Sequence, residues 1–169
     1  MPRVVILVPS AQHTAPIVAQ TVADGAARVR FTEVEVRAIS GDAATDGRRV
    51  RALEGIESLT ESDAVIVTTS APPDADVELK TVLERAERDL PNHVFSNTVF
   101  AVIGASEAEW LPIVARLGGI VVSIPRGSEN PDERARALGE RVATVVEWVR
   151  HARSHEHGHA HHHSHQHHH

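Results

Sequence analysis

The sequence predicts an open α/β protein, one parallel sheet of five strands in the order 2-1-3-4-5 with helices on both faces. Three observations predict it. Val4 to Val8, Ala64 to Thr69 and Thr98 to Ile103 are short apolar runs without polar alternation, as strands covered on both faces read. Each runs into a polar loop and then an amphipathic stretch, so strand and helix alternate along the chain. Val29 to Ile39 instead alternates apolar with polar residues, which marks an edge, and right-handed crossovers then leave this order as the economical one.

In chain order, Thr14 and Pro16 suit the cap and first turn of a helix over Ala15 to Arg28, with Val18, Val22 and Ala26 on one side and an end near Gly25. Ser40 to Arg49 reads as a polar loop. Val50 to Glu61 carries Leu53, Ile56 and Leu59 at helical spacing. After the strand at Ala64, the loop Thr69 to Asp76 leads into a helix from Val77 to Leu90 that stops before Pro91. The strand ending at Ile103 opens into Gly104, Ala105 and Ser106, with Ser106 as cap of a helix to Leu117 and Gly118-Gly119 as its end. Ile120 to Ile124 is the last strand. Asn130, Pro131, Asp132 and Glu133 start a final helix striped with Ala135, Leu138, Val142, Val145, Val146 and Val149.

About 150 residues form one domain, residues 1–150, and residues 151–169 form a tail of different composition. The chain has no cysteine, which excludes disulfides, thiolate metal sites and cysteine nucleophiles. A formal net charge of −6 argues against nucleic-acid binding, since a polyanion is repelled on average. No stretch reads as a signal peptide or a membrane span, so no membrane contact and a cytoplasmic location are expected.

In a parallel sheet of this order the first, third and fourth strands deliver their loops to one edge. These are Ser10 to Ala15, Thr69 to Asp76 and Gly104 to Trp110. The first lies between a strand's carboxyl end and a helix's amino end, where unpaired N–H groups and the helix dipole point at an anion.

At these residues the chain resembles flavodoxin-like proteins, most closely the NAD(P)H:quinone oxidoreductases of the tryptophan-repressor-binding-protein (WrbA) type and NADPH-dependent FMN reductase-like proteins. Ser10 and Ala19-Gln20-Thr21-Val22-Ala23-Asp24-Gly25-Ala26 look like that family's opening. Ser62-Asp63-Ala64-Val65-Ile66-Val67 with Thr68-Thr69, then Lys80-Thr81-Val82-Leu83, and finally Gly127-Ser128, Pro131 and Ala137-Leu138-Gly139 are similar to later segments, so the likeness spans residues 3–149. It implies the flavodoxin-like three-layer sandwich, with FMN at the sheet edge and NAD(P)H and a quinone as small-molecule partners.

The family's phosphate loop, (Ser/Thr)-x-Thr-Gly-x-Thr, is degenerate here: Ser10 remains, Gln12 takes the middle position, His13 replaces glycine, Thr14 follows and Ala15 replaces the last hydroxyl. Ser10, Thr14, backbone donors and a protonated His13 would hold phosphate. Thr69, Ser70 and Ala71 with Gly104, Ala105 and Ser106 would line the ring. Trp110 is the one aromatic near it, either stacked on the flavin or anchored in the core. Asp74 and Asp76 stand where the family has an aromatic and glycine segment. The family's tetramer segment is short between Ile124 and Gly127, while the alternating second strand is compatible with a homo-oligomer.

From His151 onward, eleven of nineteen residues are histidine, a composition that buries no core and is expected to be disordered. His155, His157, His159, His161, His162, His163, His165, His167, His168 and His169 are candidate ligands for nickel, cobalt, zinc or copper. No run exceeds three, which favours a native metal-binding tail over an engineered tag. Two readings result, an FMN-dependent oxidoreductase and a non-catalytic descendant of the fold that has lost flavin and binds metal through its tail.

Overall fold

The strands that lack polar alternation form the middle of the sheet. The structure, a computed structural model, describes residues 1–9, 15–40, 43–45, 48–124 and 130–159. In order these form β1 (Arg3–Val8), α1 (Ala15–Ala26), β2 (Glu33–Ala38), β3 (Ala43–Thr45), β4 (Arg48–Ala52), β5 (Ala64–Thr69), α2 (Val77–Asp89), β6 (Val99–Gly104), α3 (Glu107–Ala115), β7 (Ile120–Val121) and α4 (Pro131–His159). The sheet order is β3-β4-β2-β1-β5-β6-β7, parallel except for the β3–β4 hairpin. The predicted five-strand order is preserved inside it as β2-β1-β5-β6-β7.

Alternate residues of each central strand serve opposite faces, which is why these strands are apolar throughout. Val4, Ile6 and Val8 of β1, with Ala64, Ile66, Val99 and Ala101, pack under α1 and α4. Val5 and Leu7, with Val65, Val67, Phe100 and Val102, pack under α2 and α3. The result is three layers, helix on sheet on helix. No described helix is long and apolar enough to cross a membrane.

Four expectations need correction. The stretch expected to be a loop and then a helix is instead the β3–β4 hairpin, where Val50 is buried with Ala38, followed by a short 3₁₀ helix, Ile56–Glu61. Ile56 and Leu59 are three apart, a spacing that a 3₁₀ turn satisfies as well as an α-helix does, and both are buried. Consequently β2 is an outer strand only over its first four residues, since Arg37 and Ala38 pair with Arg51 and Ala52 of β4. Phe31, expected within the alternating strand, lies in the turn before β2 at φ 61° and is 77% exposed.

Helix α4 also runs past its expected end. Asn130 caps it, its Oδ1 accepting from the Glu133 N–H at 2.8 Å as the start signal implied. The helix then continues through His151 to His159 instead of giving way to disorder at the expected boundary. Residues 160–169, with His161, His162, His163, His165, His167, His168 and His169, lie outside the described residues.

Candidate functional site

Because β1, β5 and β6 are adjacent and parallel, the chain leaves all three at one edge of the sheet. The first loop holds Ser10, Gln12, His13 and Thr14 and lies outside the described residues, while Ala15 is the first residue of α1. Acidic residues stand in the first turns of α2 (Glu78), α3 (Glu107 and Glu109) and α4 (Asp132 and Glu133), yet none stands in that of α1. Among the described helices, α1 is therefore the one whose positive end its own first turn leaves uncompensated.

The second and third loops are stitched together. Buried Thr69 donates its hydroxyl to the Ala105 carbonyl at 2.6 Å, and the Ala105 N–H returns a bond to the Thr69 carbonyl at 3.1 Å. Gly104 sits at φ 124°, and a Cβ there would fall 2.0 Å from the Thr69 carbonyl oxygen, so only glycine allows this approach. Thr68 ties β5 to β1, donating to the Leu7 carbonyl at 2.8 Å.

Glu107, at the start of α3, accepts from the Gly104 N–H at 3.0 Å and forms a two-pronged pair with Arg134 of α4 at 2.6 and 2.8 Å. Arg134 also donates to the Ile124 carbonyl at 3.2 Å. The first turn of α4 thereby fixes the third loop, a role that nothing local announces because the partners are 27 residues apart. Ser106 occupies the position before α3 but in the left-handed region, at φ 57°, and its side chain makes no capping bond, contrary to its expected role as a cap.

Trp110 is a core anchor. It is fully buried, and its indole N–H donates to the Ala71 carbonyl at 2.9 Å, so it seats the second loop and offers no ring face for a flavin. Ser70 is exposed and Ala71 half-buried. Asp76 caps α2, its carboxylate accepting from the Leu79 N–H at 3.2 Å. Burial pushes its carboxyl above the ordinary range, against that hydrogen bond and with the neighbouring charge of Glu78 adding to the rise. Asp74 lies 3.5 Å from the Lys80 ammonium, which tempers the negative charge expected of this loop. Two large apolar side chains flank the edge, Ile17 on the first turn of α1 and Val77 on that of α2, and they are 57% and 63% exposed.

Of the expected site residues, the structure thus brings Thr69, Ser70, Ala71, Gly104, Ala105 and Ser106 to one rim and places Trp110 beneath it. His155 is exposed on α4, far along the chain from that rim, and the described residues contain no group of three metal-ligating side chains.

By sequence the chain matches no family model and no curated protein. Its fold is similar to solved structures at low identity. A diflavin flavoprotein A3 from Nostoc sp. matches at TM-score 0.59 and 13% identity, over 90% of this chain and 97% of that one. A short-chain flavodoxin associated with a non-canonical PDU bacterial microcompartment matches at TM-score 0.60 and 13% identity, over 86% and 99%. FerB, a flavoenzyme NAD(P)H:(acceptor) oxidoreductase from Paracoccus denitrificans, matches at TM-score 0.57 and 18% identity, over 89% and 98%.

Proposed function

With a flavodoxin-like fold as premise, we propose that the chain binds FMN at the carboxyl edge of its sheet and acts as an NAD(P)H-dependent oxidoreductase toward a quinone or similar acceptor. The observation that carries this reading is the pairing of that edge with an α1 amino terminus free of acidic side chains. An anion placed there meets unpaired N–H groups and the positive end of the helix, and Ser10 and Thr14 add hydroxyls. Three proteins of the same fold are named as a flavoprotein, a flavodoxin and a flavoenzyme, which supports the choice of flavin among phosphate-bearing ligands.

The donor set fits the phosphate end better than the ring end. The Thr69 hydroxyl is committed to Ala105 and Trp110 is buried, so the ring would meet Ser70, the backbone of Ala71 and Ala105, and the apolar edges of Ile17 and Val77. When bound, the flavin supplies hydride and single-electron transfer, while the protein supplies position and shielding. Glu107 and Arg134 hold the third loop still against it. No side chain of the rim is assigned a proton-transfer role. Closeness to the WrbA type belongs to this same proposal.

The test is an absorption spectrum of the purified chain followed by titration with FMN, read as quenching of flavin fluorescence. Saturation in the micromolar range is expected. A colourless protein that leaves FMN fluorescence unchanged overturns the proposal; binding without NAD(P)H-dependent quinone reduction removes only its catalytic half.

A further inference from the structure

The last turns of α4 carry an arrangement that the flavin reading does not use. His151 and His155 stand one helical turn apart, both exposed, with their Nε2 atoms 3.0 Å apart. Their rings are nearly perpendicular, at 83° with centroids 4.4 Å apart. From these two imidazoles we infer a preformed site for a divalent late transition ion, nickel(II) or copper(II), on the folded part of the chain.

The separation suits nickel(II) or copper(II). Two nitrogens 3.0 Å apart, each about 2.0–2.1 Å from one ion, subtend roughly 94° at it. That is the angle between neighbouring ligands in tetragonal or octahedral coordination, which copper(II) and nickel(II) adopt with imidazole, and it is narrower than the tetrahedral angle of structural zinc sites. The 3.0 Å contact is a hydrogen bond between the two rings, with the proton on one Nε2. An ion replaces that proton, which moves so that both Nδ1 atoms are protonated and both Nε2 lone pairs face the ion.

The helix supplies the second half of the argument. Residues i and i+4 face the same side, so the backbone has already met the entropic cost of bringing the ligands together. A flexible histidine tract meets that cost on binding. With two protein ligands, the remaining coordination positions stay open to water or to a further donor, the arrangement expected of an exchangeable ion. The spacing is also written in the sequence, since His151, His155, His159, His163 and His167 recur at every fourth position.

His151 adjoins an open groove of about 600 Å³ lined by Pro2, Glu147, Trp148, Arg150 and Ser154. Arg150, next in the chain, pairs with Asp63 at 3.2 Å and pins this part of α4 to the amino-terminal edge of β5. The pair is therefore presented from a helix that is anchored immediately before it.

The experiment uses the full chain and nickel chloride alone, and reads amide hydrogen exchange over residues 150–155. At free nickel about ten times the dissociation constant, exchange through local opening of these turns should slow roughly tenfold, by the factor 1+[L]/Kd. His151→Ala should abolish the slowing even though nickel still binds elsewhere in the tail. A second variant, with His157 and every later histidine changed to serine, should retain it. Three results would overturn the inference: unchanged exchange in the wild-type chain, equal slowing in His151→Ala, or loss of slowing in the serine variant. Each leaves the flavin proposal untouched, because none involves the rim.

Discussion

Replacing Gly139 with alanine should destabilise the protein, although the same change inside an ordinary helix stabilises it. Helices α1 and α4 meet backbone to backbone. A Cβ on Gly139 would lie 2.0 Å from the Val22 carbonyl oxygen and 2.8 Å from the Ala26 nitrogen, and a Cβ on Gly25 would lie 2.1 Å from the Arg136 carbonyl oxygen. The two distances to carbonyl oxygens fall about 1 Å short of any real contact, and the obstructing atoms are main chain, which cannot swing aside as a side-chain tip can. The helices must part, loosening Val22, Ala23, Leu138 and Val142 over the sheet. Because the obstructing atoms are main chain, the cost lies at or above the upper end of the usual range of roughly 1–3 kcal/mol for overpacking, about 3 kcal/mol, against a helix-propensity gain of about 1 kcal/mol. A net loss of about 2 kcal/mol is expected, or roughly 4–8 °C in Tm for a domain of this size. Urea unfolding followed by circular dichroism should show a lower midpoint at constant slope. The double variant Gly25→Ala/Gly139→Ala should lose less than the sum of the singles, since helices already parted accommodate the second methyl. A midpoint that rises in Gly139→Ala would refute the close contact and with it the seating of α1.

Trp110→Phe removes the donor to the Ala71 carbonyl and part of a fully buried side chain, and should cost about 2 kcal/mol in the same assay while weakening FMN binding through the second loop. Stability should also fall with acid through Glu35. Burial alone would raise its carboxyl, but the guanidinium groups of Arg3 and Arg37 outweigh that and hold it below the usual range. A depressed carboxylate contributes stability that is present above its unfolded-state pKa and lost as pH falls through its folded-state pKa. The stability difference between wild type and Glu35→Gln, measured by urea unfolding, should therefore shrink as pH drops below about 4.3. Replacing Ser10 and Thr14 together by alanine should weaken FMN binding by about 2–3 kcal/mol, the scale of two hydrogen bonds to a charged phosphate; unchanged affinity would place the phosphate elsewhere.

The buried strands were legible because burial on both faces erases alternation, and runs of five or six residues closed by polar loops are too short for a buried helix. The β3–β4 hairpin was not. Its sequence, Ala43 to Ala52, is rich in arginine with Val50 as its single large apolar residue, as suits a strand at a sheet margin and equally a solvated loop. Gly25 signalled the end of α1 almost correctly but for another reason, since it lies within the helix and marks where a neighbour comes close. At the rim, the sequence gives which loops converge but not how they are tied. The bonds from Trp110 to Ala71 and from Arg134 to Glu107 join residues 39 and 27 apart, and no local pattern links them. The histidine pair was missed differently. Composition suggested disorder from His151, while the recurrence at every fourth residue, the helical period, was in the sequence throughout.

Helix α4 connects both proposed sites, and its length determines how they relate. Arg134, which holds the third loop, and His151 are seventeen residues apart on one helix, about 25 Å at 1.5 Å per residue. The rim lies at the carboxyl edge of the sheet, whereas Arg150 is tied to Asp63, which precedes β5 at the opposite edge. An ion on His151 and His155 is thus separated from a flavin by the whole height of the sheet and cannot serve as its ligand or contact its ring. Nor does the ion need to bend α4, because the imidazoles already stand at coordinating distance. Coupling between sites requires a ligand that favours one of two arrangements of a shared element, and neither occupant has that differential hold on α4. FMN affinity measured with and without saturating nickel should therefore agree within about twofold, less than the roughly fivefold at which coupling energies begin to count. A larger change would mean that α4 has two positions, and that the chain uses metal to regulate its rim.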